Sequence, residues 1–319
     1  MKVKQVELIP GVFHLRGGSN MGLIVRDGKG LLIDTGLDKD AARRALRTAE
    51  EMGVTLAAVF ITHAHADHFG GAHFLQRRLE VPLYAPALEA AMMEHPIIEP
   101  LYLFGGAVPI GDLRHKFTLA KSCRIDHVVR PGVGTETYPG VGAETYPYEI
   151  GPFRVEIVGL PGHALNQVGV AVGDVLFCAD AVFPAETLQK HKVTFCVDLD
   201  ATLATLERLP TLPYTRFAPG HGPAYAAGEE IAQICAANRK RLEEIRALVY
   251  AALEEPQETP ALVQRVADHF GLSLTTATAY FLTRTTILAA LSSLERAGGV
   301  EAVMRDNRLL WQQADNTLN

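Results

Sequence analysis

Cysteine, basic charge and long apolar runs are all in short supply. The four cysteines of this 319-residue chain, Cys123, Cys178, Cys196 and Cys235, stand far apart with no CxxC pair. That spacing excludes a disulfide framework and a thiolate zinc cage, so they read as buried free thiols. Lysine and arginine total 30 against 36 aspartates and glutamates, a formal net charge of −6. The basic footprint that nucleic acid or an anionic membrane demands is therefore missing. No run of about 18 apolar residues occurs, and Met1 to Gly18 lacks the apolar core and small-residue cleavage site of a secretory signal. These absences predict a cytoplasmic protein with no membrane partner.

With 48% apolar and 21% charged residues the chain can build a sizeable core. Two β-like runs, Val6 to Leu15 and Met21 to Asp34, open the chain, the second folding back at Asp27-Gly28. Lys39 to Met52 has helical periodicity, Leu56 to Thr62 reads as a buried strand, Gly70 to Leu79 as helix and Val81 to Tyr84 as strand. Pro86 to Asp126 is less regular and apolar, which predicts a lid over a site. A tandem duplication follows, PGVGTETY at Pro131 to Tyr138 and PGVGAETY at Pro139 to Tyr146. It is too short for a solenoid and reads as a loop or hairpin extension.

Strand patterns return at Phe153 to Val158, Val168 to Val172, Val175 to Cys178 and Arg216 to Ala218. A helix over Ala201 to Leu209 is open to capping by Asp198 or Asp200, and Glu229 to Leu253 reads as a long helix. The proline-bearing stretch 254–260 is a linker, dividing a large α/β domain at 1–253 from a small one at 261–319. The small domain reads helix, helix, hairpin and resembles a winged helix.

The 12 histidines are unevenly placed. Thr62-His63-Ala64-His65-Ala66-Asp67-His68 puts four ionisable groups into six residues directly after an apolar strand. Burying such groups unpaired costs several kcal/mol each, and a divalent cation is the economical partner. His163, Asp180 and His221 likewise follow apolar strands, so seven nitrogen and oxygen ligands converge at strand ends. That is too many for one tetrahedral ion and suits two. Zinc fits best, with iron or manganese as alternatives. His14, His73, His95, His115, His127, His191 and His269 lack a partner at ligand spacing and read as surface or satisfied structural residues.

From about Val6 to Leu253 these blocks resemble the metallo-β-lactamase fold hydrolases: HxHxDH at His63 to His68, PGH at Pro161 to His163, the strand-end Asp180, PGHG at Pro219 to Gly222, and Ile33-Asp34-Thr35-Gly36 upstream. The resemblance implies an αββα sandwich with the metals at one edge of the sheets. It also implies one metal site of His63, His65 and His163, another of Asp67, His68 and His221, Asp180 as the bridge and Asp34 as an orienting residue. Two departures stand out. Ala179 replaces the usual glycine before Asp180, so the backbone there should pack differently. The true β-lactamases carry cysteine where this chain has Asp180, which disfavours antibiotic hydrolysis; Cys178 is not expected to be a ligand.

Two cations held together would bring the pKa of a shared water toward 7, with Asp67 or Asp180 handling a proton. The first expectation is a hydrolase using metal-bound hydroxide on a small-molecule ester, thioester or lactone, resembling glyoxalase II, although no residues match a glutathione-binding set. The alternatives are a metal-dependent nuclease or phosphodiesterase with a nucleic-acid-contacting tail, or an iron-dependent dioxygenase on the same fold. Residues 254–319 carry five arginines against eight carboxylates, so the tail reads as a packing or homodimerisation element rather than a groove reader.

Overall fold

Alternation along each strand supplies two apolar faces, and both are covered. The computed structural model describes residues 4–130 and 144–314. The first half runs β1 (Lys4–Ile9), β2 (Val12–Arg16), β3 (Met21–Arg26), β4 (Lys29–Ile33), α1 (Lys39–Glu51), β5 (Thr55–Phe60), α2 (Ala66–Phe69), α3 (Ala72–Leu79), β6 (Leu83–Pro86), α4 (Ala87–Glu94), α5 (Ile98–Leu103) and β7 (His127–Val129). Its seven strands lie in sequence order, antiparallel from β1 to β4 and parallel from β4 to β7. The second half runs β8 (Thr145–Ile150), β9 (Phe153–Gly159), β10 (Val168–Val172), β11 (Val175–Ala179), α6 (Ala185–His191), α7 (Leu199–Arg208), β12 (Arg216–Pro219), β13 (Tyr225–Ala226) and α8 (Glu229–Ala251). Here the six strands are ordered β13-β12-β11-β10-β9-β8.

Ile24, Leu31, Ile33 and Phe60 of the first sheet meet Phe153, Val155, Ile157, Val170 and Phe177 of the second in a shared core. Their sequence neighbours Leu23, Leu32 and Val59 point the other way, onto Ala42, Leu46 and Leu75 of α1 and α3. Val158, Ala171 and Leu176 do the same toward α7 and α8. The layers are helix, sheet, sheet, helix, the αββα sandwich expected.

Most sequence-read elements recur within a residue or two, and Asp27-Gly28 makes the β3–β4 turn with both residues at positive φ, the geometry a two-residue hairpin requires. Asp198 caps α7 through the Ala201 amide, whereas Asp200 instead accepts from Ser293 and Arg296 of the C-terminal region. Two expectations are corrected. Val6 to Leu15 is not one strand but two, broken at Pro10-Gly11 into the β1–β2 pair. Pro86 to Asp126 is not an irregular lid: α4, α5 and a 3-10 turn at Gly111–Leu113 pack down through the buried Ala90, Met93, Leu103 and Leu113. Its prolines hid the helices; Pro100 sits in the first turn of α5, where proline is tolerated. Of the duplication, residues 131–143 lie outside the described residues, and Thr145 and Tyr146 belong to β8.

After α8 come α9 (Thr259–His269), α10 (Ala277–Arg296) and the hairpin β14 (Val300–Arg305) with β15 (Arg308–Gln313). Their core includes Leu262, Val263, Val266, Ile287 and Leu291 together with Ile245, Val249 and Leu253 from the far end of α8 and the turn after it. The same helix, through Ile231, Ile234 and Leu242, packs on the second sheet. α10 also holds the α5 region: Thr278 Oγ1 donates to the Asp112 carbonyl at 2.5 Å, His115 Nε2 meets that hydroxyl at 2.9 Å, and Phe281 packs edge-on to Phe104 at 5.4 Å. Ending the chain at Pro256 should therefore uncover Ile245, Val249 and Leu253, at roughly 1.5 to 3 kcal/mol for each large side chain. The expected result is a lower thermal midpoint and strong binding of a hydrophobic dye; an unchanged midpoint would contradict this packing.

Candidate metal centre

Five strands end at the same edge of the sandwich, and each delivers one part of the centre. Asp34 follows β4, His63 follows β5, His163 follows β9, Asp180 follows β11 and His221 follows β12. The loop after β5 carries His65, and the short helix α2 turns Asp67 and His68 back toward the cluster. Ligand atoms of His63, His65 and His163 lie within 4.8 Å of one another, as do those of His63, His68 and Asp180, and those of Asp67, His68 and His221. All seven sequence-read residues are brought together. The Asp180 carboxylate is central, 3.4 Å from His68 Nε2, 3.5 Å from His163 Nε2 and 3.4 Å from His221 Nε2.

A metal ligand must offer a lone pair, and the protein decides which nitrogen does so by occupying the other one. His68 Nδ1 faces Asp34 Oδ2 at 2.8 Å, His163 Nδ1 faces the Phe195 carbonyl at 3.0 Å, and His221 Nδ1 faces the Gly18 carbonyl at 3.1 Å. These acceptors take Nδ1–H, so Nε2 is the nitrogen that each ring turns into the cluster. His63 obeys the same rule through a relay: Thr62 Oγ1 donates to Asp34 at 2.9 Å and therefore accepts from His63 Nδ1 at 3.0 Å. His65 is the exception, presenting Nδ1 to His163 Nε2 at 2.8 Å. Two nitrogens facing each other so closely, with His63 Nε2, His68 Nε2 and Asp180 Oδ1 buried and without a hydrogen-bond partner, fit a site built to hold cations.

Charge is distributed accordingly. Burial, helped by neighbouring histidines, holds His63 well below the ordinary imidazole range and His65 down to about 3, so both are neutral at pH 7. Burial also opposes charge on His221, yet Asp180 and Asp67 outweigh it and push the ring up to about 10. His68 is raised in the same way, by Asp180, Asp67 and Asp34 against its burial. Burial alone would raise Asp180, but His221 and His68 hold it well below the usual carboxylate range.

Several supporting residues had no local signal in the sequence. Glu89 of α4, buried, accepts from the Ala64 amide at 2.8 Å and the Asn166 amide at 3.0 Å, tying together the loops that carry His65 and His163. Ser19 Oγ donates to Asp67 at 2.8 Å. Asn20 clamps the loop carrying His221 by donating to the carbonyls of Pro219 and Gly222. Phe183 and Phe195, both half-buried, set their rings against His163 and, respectively, His221 and His65. Among the other histidines, His73, His115 and His269 bond to Ser122, Thr278 and Glu244, and His127 stacks on Tyr84. His14 corrects the bland reading: it is buried, and its Nε2 has no partner. Cys178 belongs to the second sheet's outer core and joins none of the ligand groups.

The family model of the metallo-beta-lactamase superfamily matches residues 14–221, a span that holds every candidate ligand. The chain belongs to that superfamily. It is 26% identical over 211 residues to the probable metallo-hydrolase YqgX of Bacillus subtilis, covering 64% of this chain and 85% of that one. It is 26% identical over 202 residues to a hydroxyacylglutathione hydrolase of Xylella fastidiosa, covering 62% of this chain and spanning 57% of that relative's length. Among solved structures, the metallo-beta-lactamase family protein TTHA1429 of Thermus thermophilus superposes with a TM-score of 0.69 at 19% identity, over 96% of this chain and 100% of the other, so the shared fold reaches into the C-terminal helices.

Two features of this superfamily site generate tests. Ala179 sits at φ +48, the left-handed region that favours glycine, which explains why glycine is usual there and leaves the alanine strained. Gly220 lies so close beneath the Asp180 carboxylate and the His68 ring that a methyl group would overlap both. Ala179→Gly should stabilise the fold by about 1 kcal/mol, whereas Gly220→Ala should reduce metal content; urea unfolding and elemental analysis read the two effects. His14, on β2, supplies a pH test. Burial lowers it to about 4 from an ordinary 6.5, despite its hydrogen bond to the Pro219 carbonyl. Between those values the unfolded chain binds a proton that the folded chain refuses. The fold should therefore lose up to roughly 3 kcal/mol from this group as pH falls from 6.5 to 4, and nothing above 6.5. Denaturation of His14→Gln beside the native chain at both ends of that range should show the difference.

Proposed function

We propose that this protein is a dinuclear metal-dependent hydrolase of a small acyl ester, thioester or lactone. The observation that carries the reading is the set of three overlapping ligand groups in which His63 and His68 are shared. Seven side chains so arranged suit two ions; one ion would leave several buried donors idle. His63, His65 and His163 would hold the first ion, Asp67, His68 and His221 the second, and Asp180 would face both. Zinc matches the imidazole-rich donor set best, with iron or manganese next. When bound, a pair of such ions acidifies a shared water and polarises the carbonyl oxygen under attack.

The chain's own residues do the rest. Asp34 fixes His68 directly and His63 through Thr62, so the ligands meet substrate already oriented. Asp67, anchored by Ser19 and 31% exposed, is the more accessible carboxylate and the one to take a proton, while Asp180 is only 5% exposed. Phe183 and Phe195, with their rings against His163, offer apolar surface that would exclude water beside an acyl group. The names of the two relatives, a probable metallo-hydrolase and a hydroxyacylglutathione hydrolase, support this reaction class. The acidic tail and its packing on α8 support a small substrate over a nucleic acid.

Protein prepared without chelator should hold two transition-metal ions per chain by elemental analysis. Asp180→Ala and His65→Ala should abolish turnover across a panel of thioesters, lactones and phosphodiesters. Asp34→Ala should weaken metal binding by roughly 10- to 100-fold, and His269→Ala, at an exposed position paired with Glu244, should leave activity unchanged. At most one ion after metal is supplied, or full turnover by Asp180→Ala, would refute the dinuclear reading.

A further inference from the structure

The two sheets do not close on each other at the side of the sandwich where β1 ends one sheet and β13 ends the other. Between these edge strands lies a groove of about 340 Å³, a volume in the range of small-molecule sites, ~300 to 1,000 Å³. Strand β1 gives it an apolar wall through Val6 and Leu8, and its charged lining is Glu7, Arg16, Arg216 and Glu230. His14 lines it as well, from a buried position. None of the candidate metal ligands does, so the groove is a place apart from the metal centre.

The polar groups of this lining are not spent on one another. Glu7 Oε1 accepts from the Gly11 amide at 3.0 Å and Glu230 Oε2 from the Ala226 amide at 2.7 Å. Backbone amides thus pin both carboxylates, each with its second oxygen unbonded among the described residues. Arg16 is half-buried and Arg216 exposed, and among the described residues neither guanidinium makes a hydrogen bond or an ion pair. His14 is only 1% exposed. One of its nitrogens bonds to the Pro219 carbonyl, burial keeps the ring neutral at pH 7, and Nε2 is left without a partner. A neutral ring that donates through Nδ1 accepts through Nε2. Leaving such an acceptor buried and unpaired costs free energy that a bound donor would return.

We propose that this groove binds a small hydroxylated oxyanion, a sugar phosphate or a hydroxy acid, with Arg16 and Arg216 taking the anionic oxygens. The hydroxyls of the ligand donate to Glu7, Glu230 and His14 Nε2, and Val6 and Leu8 cover its carbon skeleton. A guanidinium fork matches the paired oxygens of phosphate and carboxylate alike, so the oxyanion is the shared chemistry. The two glutamates repel a bare anion and favour one that brings O–H donors with it, which gives the groove its selectivity. The assignment stands whatever the metal centre hydrolyses.

The test is calorimetry on the full zinc-loaded chain with glycerol 3-phosphate, glycerate, propyl phosphate and glycerol. At least one of the two hydroxylated anions should bind, and the tighter of them identifies phosphate or carboxylate as the group the arginines take. Propyl phosphate should bind more weakly than glycerol 3-phosphate by on the order of tenfold, and glycerol should give no measurable heat. Arg16→Met and Arg216→Met should each weaken anion binding by on the order of tenfold, and the double variant should abolish it, all with native metal content and thermal midpoint. Anion binding that survives both substitutions belongs to the metal centre and overturns the proposal. So do a native chain that binds neither hydroxylated anion and equal binding of propyl phosphate or glycerol.

Discussion

Four of the five clustered imidazoles commit Nδ1–H to the protein, and that commitment directs Nε2 into the centre. Everything else at this edge of the sandwich serves those bonds. Asp34 must bring one carboxylate to both His68 and the Thr62 relay, which requires the left-handed backbone it adopts at φ +59. The Phe195 and Gly18 carbonyls that anchor His163 and His221 come from segments remote in sequence, 32 and 203 residues away. The site therefore exists only once both sheets and their connecting loops are in place.

Strain collects where this demand is strongest. Asp34 and Ala179 both adopt conformations that side chains resist, and Gly162 and Gly220 are held where a β-carbon would strike Thr202 in one case and Asp180 in the other. The glycines of the PGH and PGHG blocks are thus matters of close approach, and the histidine beside each is the part that bears chemistry. Unfavourable backbone is concentrated at functional sites because the surrounding core over-determines it; here that core is the interlocked set of Ile33, Phe60, Phe177 and Ala218 between the sheets.

Much of this was legible in the sequence. Alternating apolar residues marked both sheets, and seven ligand-type residues after apolar strands marked the centre, because strand ends converge whatever their separation along the chain. The supporting residues were hidden for the same reason that they matter. Glu89, Ser19 and Asn20 act through contacts that link distant segments, and nothing beside them in sequence announces the partner. The α4–α5 segment was lost to its prolines, which interrupt the helical pattern although the chain folds through them. His14 resembled the other lone histidines, since burial without a partner leaves no trace in a sequence.

Helix α8 stands in two cores at once, its first half against the second sheet and its second half against α9 and α10. A shared 23-residue helix removes the usual independence of an appended unit, because neither core can lose its order without depriving the other of a wall. Unfolding should then spread along the helix as one cooperative event, with backbone amides in both halves opening together to solvent exchange rather than as two separate foldons. Whatever fills the metal centre would accordingly slow exchange in helices that never touch it.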